Sequence, residues 1–175
     1  PYDGEVAFVD RALGPLFDRL ATLSRATLVI VTADPGESLG EHGEMTHGMF
    51  AYETTLRVPL IVARIDPGSG SRTQGRVVQT PVRHIDLVPT LLDVLEMEPD
   101  SSLSGRSLLP LLNGNEAGDE RPTYFEAMTY NLVRGWAPLR GVIDGREKYI
   151  DLPLRELYDL STDPREDRNL ASSSV

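Results

Sequence analysis

The 175-residue sequence has no cysteine, a single tryptophan, and one lysine, Lys148, among its 17 basic residues. Without cysteine there is no disulfide, no thiolate metal site and no cysteine nucleophile. No apolar run approaches the roughly 20 residues of a membrane span, and no cationic start followed by an apolar core marks a secretory signal. Positive charge is scarce too: 17 Lys and Arg stand against 27 Asp and Glu, a formal net charge of -10. That balance argues against nucleic-acid binding, which needs clustered Lys and Arg along a phosphate backbone. Repeats and low-complexity tracts are absent as well. What is present is a 40% hydrophobic chain, enough to bury a sizeable core as one domain, or as one domain plus a small annex.

The stretch 28–62, LVIVTADPGESLGEHGEMTHGMFAYETTLRVPLIV, holds two of the three histidines and the densest run of carboxylates and glycines. Its first residues, LVIVTA, are continuously apolar and β-branched, the pattern of a strand buried on both faces of a parallel sheet. The run stops at Asp34. A carboxylate at the carboxyl end of such a strand points into the crevice where open α/β sheets bind ligands, although a turn or cap aspartate has the same sequence signature. From Pro35 to Gly48 there are four glycines, three glutamates and two histidines, with almost nothing to bury. The segment therefore reads as a polar surface loop. Glu37 and Glu41 read either as acceptors for loop amides or histidines, or as solvated carboxylates. A short helical turn and a second apolar strand over 60–63 complete a strand, loop, strand unit.

Upstream, Val6, Val9, Leu13, Leu16, Phe17 and Leu20 recur at intervals of three and four, which predicts a helix over 2–23 with one apolar stripe. Pro15 is expected to kink or split it after Gly14. Downstream, 66–75 is a Gly, Ser and Pro loop and 76–79 a short strand candidate. Asp86 reads as a helix N-cap, followed by a helix whose buried face is Leu87, Leu91, Leu92, Val94 and Leu95; His84 beside it reads as structural. The charged, glycine-bearing segment 113–121 is the best internal boundary. Beyond it lie short strands over 123–127, 139–143, 148–151 and 156–160, with a hairpin signal at Asp144-Gly145. Lys148 reads as a solvating residue on a strand edge, and the tail DPREDRNLASSSV as one or two helical turns.

TADPGESLGEHGEMTHGMFAYETTLRVPLIV resembles the second metal-ligand segment of the sulfatases, within the alkaline phosphatase superfamily. RHIDLVPTLLDVL, GRSLLPLLNG, REKYIDLP and ELYDLSTDPREDRNLA are similar, in order and spacing, to the carboxyl-terminal half of that family. The resemblance covers nearly the whole chain. It implies an α/β fold, part of an alkaline-phosphatase-like sheet flanked by helices, plus a small carboxyl-terminal antiparallel β subdomain. Residues 1–113 would belong to the α/β domain and 114–175 to the subdomain. The chain is then expected to be the carboxyl-terminal portion of a longer protein whose amino-terminal half carries the formylglycine nucleophile and the first pair of metal-binding aspartates.

By the same resemblance, Asp34 would ligate a divalent metal, Ca2+, as an all-oxygen donor. His47 stands where the family places a basic residue, often lysine, against the sulfate, and would donate to a sulfate oxygen or protonate the leaving group. His42 is a second candidate for substrate contact, and equally a structural loop histidine. The implied substrate is a sulfate ester of a sugar or aromatic alcohol, in a parent protein whose compartment is open, periplasmic and extracellular included. One departure stands out: the family's second ligand in this segment, histidine or asparagine, is here Pro35, which has no side-chain donor. Two other readings therefore stay open. One is a phosphoester or phosphonate hydrolase, or a phosphoglycerol transferase, of the same superfamily, using manganese or zinc. The other is a sulfatase-fold module without catalysis.

Overall fold

The computed structural model of the chain describes residues 2–67, 75–115 and 121–171. It divides into two compact units, one of Pro1–Gly36 with Arg57–Gly75 and one of Glu37–Leu56 with Arg76–Val175. The division expected at 113/114 falls inside the second unit, and residues 116–120 of that segment lie outside the described residues.

In the first unit, helix α1 (Tyr2–Ala21) carries Asp3 and Glu5 in its first turn and Arg19 in its last, each favourable against the helix dipole. Pro15 neither splits nor ends it. The proline removes one backbone bond, but this helix has no buried residue, so water can take the carbonyl left over. Its predicted stripe is only partly covered, with Val6, Val9 and Leu16 about half exposed and Phe8 more so. The strands β1 (Thr27–Thr32) and β2 (Leu60–Ile65) pair antiparallel, Thr27 opposite Ile65 and Thr32 opposite Leu60. This corrects the reading of 28–33 as a strand buried on both faces of a parallel sheet. A β-branched apolar run specifies extended backbone, whereas burial on two faces needs covering layers that the described residues do not provide; both strands are half-buried at best.

The second unit holds the core. Strands β3 (Thr123–Ala127), β4 (Leu139–Asp144), β5 (Glu147–Asp151) and β6 (Glu156–Asp159) form one antiparallel sheet in chain order. The β4–β5 hairpin closes with Asp144 opposite Glu147 and turns through Gly145, at φ 56°, and Arg146, as the Asp-Gly signal anticipates. Phe125, Leu139, Ile150 and Tyr158 of this sheet pack with Ala51 and Tyr52 in one buried cluster. Gly141 makes that packing possible: a Cβ there would lie 2.2 Å from the Phe125 ring. The short helix α2 (Glu53–Leu56) follows the polar loop. Residues 76–79, the short strand candidate, form no strand. Helix α5 (Thr129–Arg134), between β3 and β4, escaped the sequence reading because six residues rich in strand formers show no helical period.

Asp86 takes the N-cap position that the sequence suggests, but its side chain does not cap the helix. It ends a 3-10 turn, His84–Asp86, ahead of α3 (Leu87–Val94) and makes no side-chain cap bond to that helix. Instead it is 2% exposed and accepts from the Arg83 amide at 2.9 Å, the Arg83 guanidinium at 3.2 Å and the Arg106 amide at 2.9 Å. Burial alone would raise its pKa; the Arg106 and Arg83 hydrogen bonds outweigh it and hold the carboxyl below the usual range. Gly105 lets the two segments meet, since a Cβ there would stand 1.8 Å from the Ile85 carbonyl oxygen. The buried side chain of α3 is Thr90, bridging the Asp86 carbonyl and the Leu108 amide, while Leu91 and Leu95 of the expected apolar face are exposed. The turn of α4 (Leu109–Leu112) follows. No helix among the described residues is long and apolar enough to cross a membrane.

Candidate functional site

Asp34 lies in an exposed bend two residues past β1, with Pro35 beside it. Among the described residues no group of three or more His, Cys, Asp or Glu is placed to hold a metal ion. Calcium takes roughly six to eight oxygens. One exposed carboxylate and a proline do not make that set, so these residues alone do not hold the metal.

The loop after Gly36 is tightly organised by its own polar groups. Its backbone folds back through Ser38 N–H to the Thr46 carbonyl at 2.8 Å and Gly40 N–H to the Glu44 carbonyl at 2.9 Å. Three carboxylates then take its amides and its histidine. Glu41 accepts from the Leu39 amide at 2.6 Å, which lowers its pKa. Glu44, nearly buried, accepts from the Met49 amide at 2.7 Å and the Phe50 amide at 3.3 Å. Glu37 Oε2 meets His47 Nδ1 at 3.1 Å. Glu37 and Glu41 thus act as acceptors for a histidine and a loop amide. Glu44 was not singled out by sequence, because a glutamate between glycines carries no mark of burial.

The two histidines occupy different environments. His47 has its side chain half exposed, with Nδ1 turned to Glu37 and Nε2 left for another partner. His42 sits in the left-handed region at φ 53°, stacks on Tyr52 with ring centroids 3.6 Å apart, and has Nε2 2.9 Å from the Arg165 carbonyl.

Lys148 overturns its reading as a strand-edge solvating residue: its side chain is 0% exposed. Nζ lies 2.6 Å from Glu166 Oε1 and 3.5 Å from Glu53 Oε1, with the Phe125 and Tyr52 rings 5.2 and 5.9 Å away. The alternation of β5 points this residue into the core, where its ion partners arrive from distant parts of the sequence; no local pattern announces them. Glu166 Oε2 also accepts from the Glu53 amide at 2.6 Å. Burial pushes the Glu166 carboxyl up, against the pull of Lys148. Tyr52 donates to Glu156 at 2.9 Å, and burial together with that carboxylate raises its hydroxyl well above the usual tyrosine value.

Residues 40–175 match the family described as N-sulphoglucosamine sulphohydrolase, C-terminal. A choline-sulfatase from Rhizobium meliloti (strain 1021) is 32% identical over 183 residues, 98% of this chain and 33% of that protein. The chain belongs to the sulfatase family. Two solved structures extend the match. One, in complex with its substrate D-glucosamine-2-N,6-O-disulfate, is 28% identical over 94% of this sulfatase chain and 34% of its own, with a TM-score of 0.71. The other, the phosphonate monoester hydrolase of Agrobacterium radiobacter, is 29% identical over 99% of this chain and 37% of its own, also with a TM-score of 0.71. The fold is thus that of the alkaline-phosphatase-like sulfatases. This sulfatase chain spans about a third of the length of the curated relatives it matches.

Proposed function

We propose that the protein hydrolyses sulfate esters of sugars or aromatic alcohols, with His47 as the group this chain brings to the reaction. In this reading the formylglycine nucleophile and most ligands of a divalent metal, calcium, come from the amino-terminal half of the same protein, and residues 1–113 and 114–175 are its α/β portion and its small subdomain. The metal, when bound, would offset charge on the sulfate oxygens; Asp34 would be the one side chain of the segment 34–35 with a donor for it.

The observation that supports this reading is the His47–Glu37 pair at 3.1 Å on a loop of sulfatase sequence. A carboxylate on Nδ1 fixes the ring and its tautomer, so that Nε2 faces outward. Protonated there, His47 hands its proton to the bridging oxygen as the sulfur–oxygen bond breaks, and the alcohol leaves neutral. His42 has Nε2 against the Arg165 carbonyl, so a substrate contact from it would use Nδ1.

A second reading, hydrolysis of phosphonate or phosphate esters, draws support from the likeness to the phosphonate monoester hydrolase. Turnover of p-nitrophenyl sulfate and of a p-nitrophenyl phosphonate ester by the full-length protein separates the two. The sulfate reading expects the first to be faster, with His47→Ala lowering kcat by about 10²- to 10⁴-fold, the range of one general acid. Faster phosphonate cleavage moves the protein to the second reading. No turnover of either, with calcium, manganese or zinc supplied, leaves Pro35 as the mark of a module that has lost catalysis.

A further inference from the structure

The motif STDPREDRNLA has no part in the chemistry above, yet its backbone is held by an unusual number of its own side chains. Asp163 accepts from the Asp167 amide at 3.1 Å and the Arg168 amide at 2.9 Å. Asn169 accepts from the amides of Leu157 at 3.1 Å and Ala171 at 2.8 Å, and donates to the Arg155 carbonyl at 2.9 Å. Over 163–170 no helical turn forms, because Asx-type bonds compete with helix and fasten the segment to β6 instead; a 3-10 residue appears only at Ala171, and 172–175 lie outside the described residues. Two of its groups then reach back to the polar loop and to the helix that follows it, namely the Arg165 carbonyl to His42 in the loop and the Glu166 carboxylate to the Glu53 amide at the start of α2.

We propose that residues 163–169 form a clasp that holds the His47 loop in working position, with Glu166 and Lys148 as its positioning residues. The proposal rests on the sulfate-ester reading for its catalytic consequence and on geometry for the rest. The loop is stiff within itself through Ser38, Glu41 and Glu44, so fixing it at His42 and Glu53 fixes His47 as well. Both ends of the clasp are strained: His42 at φ 53° and Glu166 at φ 59° hold left-handed backbone that non-glycine residues avoid. Such conformations persist where the surroundings over-determine them, and they cluster at functional sites. An ion triad is also a poor choice for stability alone, since apolar residues of like volume serve as well or better. What Lys148 adds between Glu53 and Glu166 is a fixed register between loop and sheet.

Glu166→Gln in the full-length protein tests this by amide hydrogen exchange together with turnover of p-nitrophenyl sulfate. Loss of one charge-assisted contact predicts exchange at Glu53 rising about tenfold, with the amides of β4 and β5 changing far less, as in a local opening. kcat should fall more than KM rises. Glu53→Gln keeps the backbone bond to Glu166 and weakens only the Lys148 contact, so it should show the same pattern at smaller size; it decides the matter if Glu166→Gln fails to fold. Equal acceleration at Glu53 and throughout the sheet overturns the clasp and leaves a stabilising ion pair, and so does local opening with kcat unchanged. A wild-type protein inert toward sulfate esters removes the sulfatase reading alone, because the exchange comparison still reports whether the clasp exists.

Discussion

The two units differ in what they bury. Every fully buried side chain among the described residues lies in Glu37–Leu56 with Arg76–Val175, while Pro1–Gly36 with Arg57–Gly75 contributes none. Apolar content does not explain the contrast, since the first unit contains LVIVTA, LIVARI and the striped helix α1. Apolar residues set what an element is, and its neighbours decide whether it is covered. The second unit supplies its own neighbours through a four-stranded meander, and it uses that interior for charge as well as for hydrocarbon.

Removing the cation from that interior should have the largest effect. Lys148→Met strands Glu166 and Glu53 and is expected to lower stability by about 3–5 kcal/mol at neutral pH, read by urea unfolding through Trp136, the lone tryptophan, on the second unit. The loss should shrink in acid. Glu166 has its pKa raised in the fold, so the folded state holds that proton more tightly than the unfolded one, and protonation above the ordinary glutamate value of about 4.3 favours folding. A loss that does not depend on pH would mean that Glu166 is not the stranded group.

Asp86 has the opposite sign. Its folded pKa is lowered, so its contribution is complete above the unfolded value of about 3.9 and disappears as pH falls through the folded one. Asp86→Asn should cost about 1–3 kcal/mol at neutral pH and flatten the acid limb of the stability curve. An unchanged acid limb would place the responsible carboxylate elsewhere. The smallest effect is expected in the first unit: Phe8→Ser on α1, where the side chain is 68% exposed, should move the Trp136 transition by no more than about 0.5 kcal/mol. A larger change would show that α1 is covered in solution and would dissolve the contrast between the units.

Much of this was legible in the residues. The β4–β5 hairpin announced itself through Asp144-Gly145, and the polar loop through its glycines and its lack of anything to bury. The family was legible because several segments stand in one order, which chance does not arrange. Pairing direction was not: an apolar, β-branched run reads alike beside a parallel or an antiparallel neighbour. Nor was the interior role of Lys148 or Asp86, because each depends on partners far along the chain, Glu53 and Glu166 for one and Arg106 for the other. A buried ion pair leaves no periodic trace.

The seclusion of Lys148 also has a practical side. It is the only lysine in these 175 residues, and its side chain has no accessible surface, so a lysine-specific protease meets no target in them while the second unit stays closed. Each cut at that residue records one opening of the sheet, which makes Lys148 a single-site clock, within these 175 residues, for the part of the molecule that holds the core.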